Sequence, residues 1–262
     1  IGLVRVAAET DRHLLVAIVE ETPQAGGLFS ILAADIANNV AFGPAAGAGS
    51  RLVERLLQWQ GALRARRDGL SRDAIIGLIG ELTVLEALAT SMPPLSAVNA
   101  WKGPEDGVQD FRAEGIAIEV KATAGSHALV PITSLDQLDA RALRRLALAV
   151  VRLVEDPAGE SLTTLVGRIR GIAGGGVLEG KLALGKWRDQ DAERYEEIRF
   201  RRVGIDVYDV RDGFPYLTRA NAPSGVAEAA YRLDARAIAP FVLGAGALTA
   251  LAHEMNGTLD GR

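Results

Sequence analysis

The stretch "VQDFRAEGIAIEVKAT" spans Val108 to Thr123 and joins a strongly apolar strand pattern to several charged side chains. Its second half, Ile116 to Ala122, has the composition of a buried strand. Side chains alternate across a strand, so Glu119 and Lys121, two positions apart, share one face. A carboxylate and an ammonium inside such a strand, with Asp110 shortly before it, suggest a chemical role for these charges.

The position of Asp110 depends on the turn that joins the two halves of this stretch. If Glu114 and Gly115 form a two-residue turn, Ala113 pairs with its neighbour across the turn and Asp110 lies opposite Glu119. Their Cβ atoms would then be about 5 Å apart. A three-residue turn would move Asp110 to the other face and separate the two carboxylates. The prediction of an acidic pair therefore depends on the hairpin register.

Two carboxylates at this spacing could hold one hard divalent cation. Their mutual repulsion perturbs the pKa of both groups, and a bound cation removes that cost. Mg²⁺ prefers oxygen ligands and keeps several waters, so Asp110, Glu119 and the backbone carbonyl of Val120 would suffice, and Mn²⁺ can substitute. Lys121 could position or deprotonate a water, or neutralise charge that develops in the transition state. These groups together suit phosphodiester hydrolysis.

The preceding helical segment, "SRDAIIGLIGELTVLEALAT" from Ser71 to Thr90, adds a third carboxylate. Glu81 falls on an otherwise apolar stripe at helical spacing, where an unpaired carboxylate would be costly. We therefore expect Glu81 to belong to the same site. Gly77 and Gly80 each disfavour a helix interior by about 1 kcal/mol relative to Ala, which suggests close approach to a neighbouring sheet.

Composition limits the possible classes of function. Hydrophobic residues make up 48% and charged residues 24% of the 262-residue chain, as is typical of globular proteins. No apolar run reaches the roughly 18 residues of a membrane span, so no membrane association is expected. The absence of cysteine excludes thiolate metal sites, disulfides and a cysteine nucleophile, and it allows the cytoplasmic location that we expect. Because the sequence starts at Ile1 with neither an initiator Met nor a signal-peptide pattern, we expect a shortened chain or disordered leading residues rather than a signal peptide.

The charge distribution leaves room for local nucleic-acid contacts only. A net charge of −4 argues against a protein that coats nucleic acid through bulk electrostatics. Lysine occurs only four times among the 29 basic residues, so the remainder are arginines. Guanidinium groups suit phosphate oxygens, although solvated surface arginines are the commoner explanation of such clusters. The clusters are Arg64/Arg66/Arg67, Arg141/Arg144/Arg145, Arg168/Arg170 and Arg199/Arg201/Arg202.

The order of periodic segments predicts a mixed α/β protein. We expect a small β-containing extension over residues 1–50 and a larger domain over residues 51–262. Strands are predicted at "IGLVRVA", "HLLVAIVE", Leu146–Val154, "EIRFRRV", "IDVYDV", "FPYLT" and "VAEAAYRL", and helices at 51–67, 71–90, from Ser134 onward and over most of 160–187. The helix from Ser134 rests on a capping box that ends at Gln137.

Asp110, Glu119 and Lys121, with Glu81 on the preceding helix, resemble the signature of the PD-(D/E)XK nuclease superfamily. The chain departs from the signature at Gln109, where the name of the superfamily has Pro. More closely, the chain looks like an uncharacterised bacterial family of PD-(D/E)XK-motif proteins found near restriction and phage-defence genes. Segments spread over about residues 50 to 235 carry this likeness: "GLSRDAIIGLIGELTVLEAL", Trp101–Phe111, "EVKAT", "ITSLDQLD" and "VYDVRDGFPYL".

The resemblance implies a restriction-endonuclease-like α/β/α core with a mixed sheet, and the family's substrate is not established. Our first hypothesis is a Mg²⁺-dependent endonuclease that acts on DNA in host defence. It implies that Glu81 joins the metal ligands named above and that Lys121 is catalytic. Gln137 could touch substrate or a metal-bound water, and simple helix capping explains it equally well. DNA, partner proteins of a defence system and a second copy of the chain are the expected partners. The alternative is a catalytically silent nucleic-acid-binding or scaffold subunit with the same fold.

Overall fold

The computed structural model describes residues 4–10, 13–18, 33–37, 48–49, 51–56, 69–105, 107–125 and 128–257. The chain forms two compact units, Ile1–Gly69 and Leu70–Arg262. The predicted domains, 1–50 and 51–262, were defined by expected role rather than by compactness and stay a prediction.

The first unit contains a β-hairpin and short helical segments. Strand β1, Val4–Thr10, pairs antiparallel with β2, His13–Ile18, in a register that places Thr10 opposite His13. The two predicted N-terminal strands are therefore confirmed. Residues 33–37 and 51–56 are helical. The helix predicted over 51–67 is confirmed as far as residue 56, and its remainder lies outside the described residues.

The second unit is built from six strands and seven α-helices within its described part. The strands are β3 Phe111–Ala113, β4 Ile116–Ala124, β5 Leu129–Ile132, β6 Arg145–Ser161, β7 Arg199–Asp209 and β8 Tyr231–Asp234. The helices are α1 Arg72–Ala89, α2 Pro94–Ala100, α3 Leu162–Ala173, α4 Gly176–Leu184, α5 Ala192–Glu196, α6 Ala235–Ile238 and α7 Ala247–Met255.

A four-stranded mixed sheet in the order β3-β4-β6-β7 forms the centre of this unit. Strands β4 and β6 run parallel, whereas β3 and β7 pair antiparallel with their neighbours. One face, which includes Ile116, Ile118 and Val120, packs against α1, α3 and α7. The opposite face, which includes Ala117, packs against the two-stranded β5-β8 sheet and α6. The predicted α/β core with a mixed sheet is confirmed.

The hairpin that joins β3 to β4 has the predicted register. Glu114 and Gly115 both have positive φ, at 50° and 75°, as a type I′ two-residue turn requires. Ala113 therefore pairs with Ile116, and Phe111 pairs with Ile118. This register directs the residue at position 110 toward the face that carries Glu119.

Helix α1 begins and ends where its sequence indicates. The Ser71 hydroxyl accepts a hydrogen bond from the Ala74 amide at 3.2 Å, which caps the first turn. The helix ends at Ala89, and α2 then begins at Pro94, because proline is well tolerated at the first position of a helix. Pro94, which the sequence predicts only as a helix stop, is the first residue of α2, and α2 itself was not predicted.

Several predicted elements are corrected by the structure. The segment that follows Ser134 forms turns rather than a helix. The Ser134 hydroxyl accepts from the Asp136 amide and Gln137 Oε1 accepts from the Thr133 amide, so the reciprocal bonds of a capping box do not form. The "FPYLT" segment has no regular structure, and "VAEAAYRL" is extended only at its end, in β8. The runs "EIRFRRV" and "IDVYDV" form one irregular strand, β7, and the predicted strand at 146–154 extends to Ser161 as β6.

The two glycines of α1 have different surroundings. A Cβ placed on Gly80 would lie 2.6 Å from the Ala122 Cβ on β4, closer than real Cβ atoms approach. The same construction at Gly77 meets nothing within 4 Å. The prediction of a close approach to the sheet is confirmed for Gly80 and is wrong for Gly77.

The pair Gly80 and Gly77 gives a matched test of helix-to-sheet packing. Gly80→Ala is expected to destabilise the fold by about 1–3 kcal/mol, because neither Ala122 nor its strand can move away cheaply. Gly77→Ala has room and is expected to stabilise by up to about 1 kcal/mol through helix propensity. Urea unfolding of both variants measures the difference, and equal effects would contradict the packing of α1 on β4.

Among the described residues, no helix is both long enough and apolar enough to cross a lipid bilayer.

Candidate active site

The carboxylate of Asp110 lies at the open edge of β4. Strand β3 starts only at Phe111, so β4 has no β3 partner from Glu119 onward. Asp110 Oδ2 accepts a hydrogen bond from the Val120 amide at 2.7 Å. The side chain thus continues the ladder where the backbone of β3 has stopped.

The carbonyl of Val120 belongs to the same edge. In an antiparallel ladder the N–H and C=O of one residue point to the same side of its strand. Because the Val120 N–H points at Asp110, the Val120 carbonyl is directed to the same edge. The backbone thus presents an oxygen near the carboxylate, as the sequence analysis expected for a metal ligand.

Glu119 and Lys121 lie together on the face opposite α1. Lys121 Nζ is 2.7 Å from Glu119 Oε1, and the Glu119 side chain is almost completely buried. Its second oxygen, Oε2, is buried and has no hydrogen-bond partner among the described residues. A carboxylate oxygen in this state is destabilising unless a proton or a cation satisfies it.

Glu81 approaches Asp110 from α1. Its Oε2 accepts a hydrogen bond from the Trp101 indole Nε1 at 2.7 Å. A Cβ placed on Gly103 would lie 2.5 Å from Glu81 Oε2 and 2.9 Å from Asp110 Oδ1, so both carboxylates crowd the α-carbon of Gly103. A side chain at position 103 would push them apart, which explains why glycine fits there.

Burial raises the pKa of all three carboxyl groups. It raises the pKa of Glu119 to about 8, with a further contribution from the Asp110 charge and an opposing one from Lys121. Burial and the Asp110 charge raise the pKa of Glu81 to about 8 against the Trp101 hydrogen bond and Lys121. The pKa of Asp110 is raised by burial, which the Val120 amide and Lys121 oppose. Carboxyl groups held so close favour a proton or a metal ion between them.

The raised pKa values of Glu81 and Glu119 make the metal-free fold sensitive to pH. A carboxyl with a higher pKa in the folded state stabilises the fold most below its unfolded pKa of about 4.5 and loses that contribution as pH rises toward about 8. Each pKa unit corresponds to about 1.4 kcal/mol, and each kcal/mol to about 2–4 °C in Tm. Calorimetry in EDTA between about pH 5 and pH 8 should therefore show Tm falling.

The matched variant for this pH dependence is Glu119→Gln, combined with Glu81→Gln. The amides cannot ionise, so the fall in Tm should become much shallower in the double variant. A parent whose Tm stays constant over the same range, or a double variant with the parent's slope, would contradict the shared burial of these carboxyls.

The donor set fits a hard divalent cation. The oxygen donors are the carboxylates of Asp110 and Glu119 and the backbone carbonyl of Val120. One of these oxygens, Glu119 Oε2, is buried without a hydrogen-bond partner among the described residues. Within the part of the chain that the structure describes, no three His, Cys, Asp or Glu side chains are arranged to hold an ion as they stand. An ion would therefore take Asp110, Glu119, the Val120 carbonyl and waters, which is the coordination that Mg²⁺ favours. Glu81 could join this set or bind a coordinated water.

The structure places Gln137 in a turn rather than in a helix. Its Oε1 accepts hydrogen bonds from the Thr133 amide, at 2.8 Å, and from the Thr133 hydroxyl, at 3.2 Å. Its backbone carbonyl accepts a bond of 3.4 Å from the side-chain Nε2 of Gln109, the buried residue before Asp110. The predicted capped helix is wrong, whereas a contact between the Gln137 side chain and substrate stays a prediction.

Three residues of this site escaped the sequence analysis: Trp101, Gly103 and Lys181. Trp101 is fully buried, and the buried Lys181 donates a hydrogen bond to the Trp101 backbone carbonyl. Their contacts join residues 20 and 80 positions apart in the chain, so no local pattern could reveal them. Two signals in the sequence pointed toward them: the rarity of lysine, and the family likeness of the segment Trp101–Phe111, which contains Trp101 and Gly103.

The arginine clusters are largely engaged with carboxylates where the structure describes them. This pairing neutralises much of their charge, and Arg64, Arg66 and Arg67 lie outside the described residues. The pairs are Arg141–Asp139, Arg145–Glu254, Arg168–Glu86, Arg168–Glu160, Arg170–Glu179, Arg170–Asp189, Arg199–Glu196, Arg201–Asp156 and Arg202–Glu86.

A mixed sheet with Asp110 before β3 and Glu119 and Lys121 in β4, flanked by a helix that carries Glu81, defines a PD-(D/E)XK-like core. The chain belongs to a family with the description "Putative PD-(D/E)XK family member", whose profile matches residues 2–236. The match covers most of the chain and includes every residue of the site. No curated protein and no solved structure matches the chain significantly.

Proposed function

We propose that the protein is a metal-dependent endonuclease that hydrolyses phosphodiester bonds, with DNA as its substrate. The observation that carries the proposal is the arrangement around β4. Asp110 bonds the Val120 amide at the open edge, and Glu119 on the neighbouring position holds the ammonium of Lys121 at 2.7 Å. A purely structural ion pair between Glu119 and Lys121 would not explain why two further carboxyl groups with raised pKa values, Glu81 and Asp110, lie beside it.

Each residue has a distinct role in the proposed reaction. Asp110, Glu119 and the Val120 carbonyl would hold Mg²⁺, or Mn²⁺ in its place, with Glu81 beside them. The ion, when bound, polarises a phosphoryl oxygen and lowers the pKa of a coordinated water. Lys121 lies against Glu119 and would orient the attacking water or offset negative charge that develops on the phosphate.

The substrate and the biological setting are inferred from the surface of the hairpin and from the family likeness. Arg112 is exposed and alternates onto the same face of the hairpin as Asp110, where it could contact a phosphate. From the resemblance noted in the sequence we propose DNA cleavage in host defence, in the cytoplasm, alongside other proteins of such a system. Because one site of this kind cuts one strand, we propose that a homodimer makes a double-strand cut.

The test is a cleavage assay with plasmid, linear duplex and single-stranded DNA and with RNA. Each substrate is incubated with Mg²⁺, with Mn²⁺ and with EDTA. A Glu119→Gln preparation, purified in parallel, controls for contaminating nucleases because the change removes one charge without changing side-chain size. We expect the parent to cleave when Mg²⁺ or Mn²⁺ is present and not to cleave in EDTA. The substrate that is cut fastest shows whether the enzyme acts on DNA or on RNA.

The same assay identifies the alternative function. If the parent cuts nothing in any metal but binds nucleic acid in an anisotropy titration, the protein is a silent binding or scaffold subunit with a nuclease fold. A parent that shows no cleavage and no nucleic-acid binding would overturn both assignments.

A further inference from the structure

Lys181 of α4 places a buried ammonium against the chain segment that leads into the acidic site. Only 4% of the residue is exposed, and its Nζ bonds the Trp101 carbonyl and lies 2.7 Å from Glu105 Oε1. The Asn99 carbonyl is a third acceptor at 3.5 Å. One side chain thus ties together the end of α2 and the short 3₁₀ turn at Gly103–Glu105.

The segment that Lys181 holds also bonds the carboxyl group of Glu81 and the backbone of Asp110. The side chain of Trp101 is fully buried and donates to Glu81 Oε2 at 2.7 Å. The amides of Lys102 and Gly103 donate to the Asp110 carbonyl at 2.6 and 3.0 Å. The position of this segment therefore sets where Glu81 and the backbone of Asp110 lie.

We propose that Lys181 is a positioning residue of the nuclease site, which fixes the Trp101 backbone so that its indole holds the Glu81 carboxylate in place for the metal. This inference rests on the proposed function for its consequence, because it assigns Glu81 a part in metal binding. Its structural half, the link from Lys181 through Trp101 to Glu81, can be tested without metal.

The chemistry of Lys181 favours a role beyond packing. Burying an ammonium is costly unless acceptors surround it, and an apolar side chain of similar length would fill the same space without that cost. Burial lowers the pKa of Lys181, although Glu105 opposes the shift. Lysine occurs at only four positions, and two of them, Lys121 and Lys181, are tied to the acidic site. An interaction retained at a cost in stability is common at functional sites.

A double-mutant cycle on Mn²⁺ affinity tests the complete chain of contacts. Lys181→Met should weaken Mn²⁺ binding about 10-fold by calorimetric titration, as is typical when a partner of a metal ligand is removed. In a Glu81→Gln background the same change should weaken binding less than about 2-fold, because the effect acts through Glu81. The matched control is Lys186→Met. Lys186 lies just after α4 and makes no bond to the Trp101–Glu105 segment, so this variant should bind Mn²⁺ as the parent does.

Two results of the cycle would overturn the proposal. One is a Lys181→Met variant that binds Mn²⁺ as well as the parent. The other is an effect of Lys181→Met that is equally large in the Glu81→Gln background. If Lys181→Met does not fold, Glu105→Gln replaces it in the cycle with the same expectations, since it removes the ion pair without leaving a buried hole.

A metal-free measurement separates failure of this proposal from failure of the proposed function. In protein labelled with 5-fluorotryptophan, the ¹⁹F signal of Trp101 is assigned through a Trp101→Phe variant. Both Lys181→Met and Glu81→Gln should shift that signal, and Lys186→Met should not. If the parent binds no Mn²⁺, the metal assignment fails. Independently of that result, an unchanged Trp101 signal in Lys181→Met would overturn the positioning role of Lys181.

Discussion

Lys121→Met is expected to reduce cleavage by at least about 10²–10³-fold, which is the loss seen when a group that stabilises transition-state charge is removed. The ammonium lies 2.7 Å from Glu119 Oε1, and only 14% of the side chain is exposed. Methionine keeps the length of the stem and so preserves its packing. The change removes only the charge that would orient water or offset charge on the phosphate.

The fold should tolerate the loss of Lys121. Lys121 opposes the burial that raises the pKa of Glu119 to about 8, so without the ammonium that pKa rises further and the metal-free carboxyl stays protonated rather than becoming an unpaired charge. Tm should therefore stay nearly unchanged or rise, because active-site charges are often kept at a cost in stability. Nucleic-acid binding should persist, since one lysine supplies few of the phosphate contacts.

Single-turnover kinetics, a melting curve and an anisotropy titration of Lys121→Met check these three statements. Lys186→Met serves as the control for loss of one lysine charge. If Lys121→Met unfolds, or cuts as well as the parent, Lys121 is a structural ion-pair residue and the nuclease assignment loses its main support.

Asp110→Asn is expected to weaken Mn²⁺ binding by at least about 100-fold and to abolish cleavage. Asparagine keeps an oxygen that can accept the Val120 amide hydrogen bond, so the hairpin should remain intact. It loses the negative charge that a hard cation requires. Stability should stay the same or increase, because one carboxylate fewer repels Glu81 and Glu119.

Calorimetric titration with Mn²⁺ and thermal unfolding measure both effects of Asp110→Asn. The exposed Asp212→Asn is the matched control, since it makes the same chemical change away from the site. Metal affinity that survives in Asp110→Asn would place the ion elsewhere in the protein.

Local chemistry explains why the hairpin could be predicted from the sequence. The pair Glu114-Gly115 between two apolar runs favours a two-residue turn, and a two-residue turn fixes which residues face each other. Register then places Asp110 on the side of Glu119, and alternation in β4 adds Lys121. The N-cap of α1 at Ser71 follows from equally local rules.

The errors arose where the same local signals have more than one outcome. The motif at Ser134 makes local hydrogen bonds without a helix, because its side chains bond the Asp136 and Thr133 amides and so close turns instead of a helical first turn. Pro94 can end one helix or begin the next, and only packing of α2 on α1 decides between them. The glycines of α1 look alike in sequence, yet only Gly80 faces β4.

The second half of the site depends on contacts between distant parts of the chain. The Glu81–Trp101 hydrogen bond and the Lys181–Trp101 contact arise from tertiary packing of α1, α2 and α4. Periodicity placed Glu81 on a buried stripe and thereby indicated that it needs a partner, but it could not name the partner.

Crystals soaked in Mn²⁺ and measured at the manganese absorption edge give the most direct test that Asp110 and Glu119 form a catalytic metal site. We expect an anomalous difference peak about 2.0–2.3 Å from a carboxylate oxygen of each residue, within reach of the Val120 carbonyl. The Asp110→Asn crystal should lack the peak. A peak elsewhere in the parent, no peak at a Mn²⁺ concentration that supports cleavage, or carboxylates of Asp110 and Glu119 on opposite faces of the sheet would contradict the account.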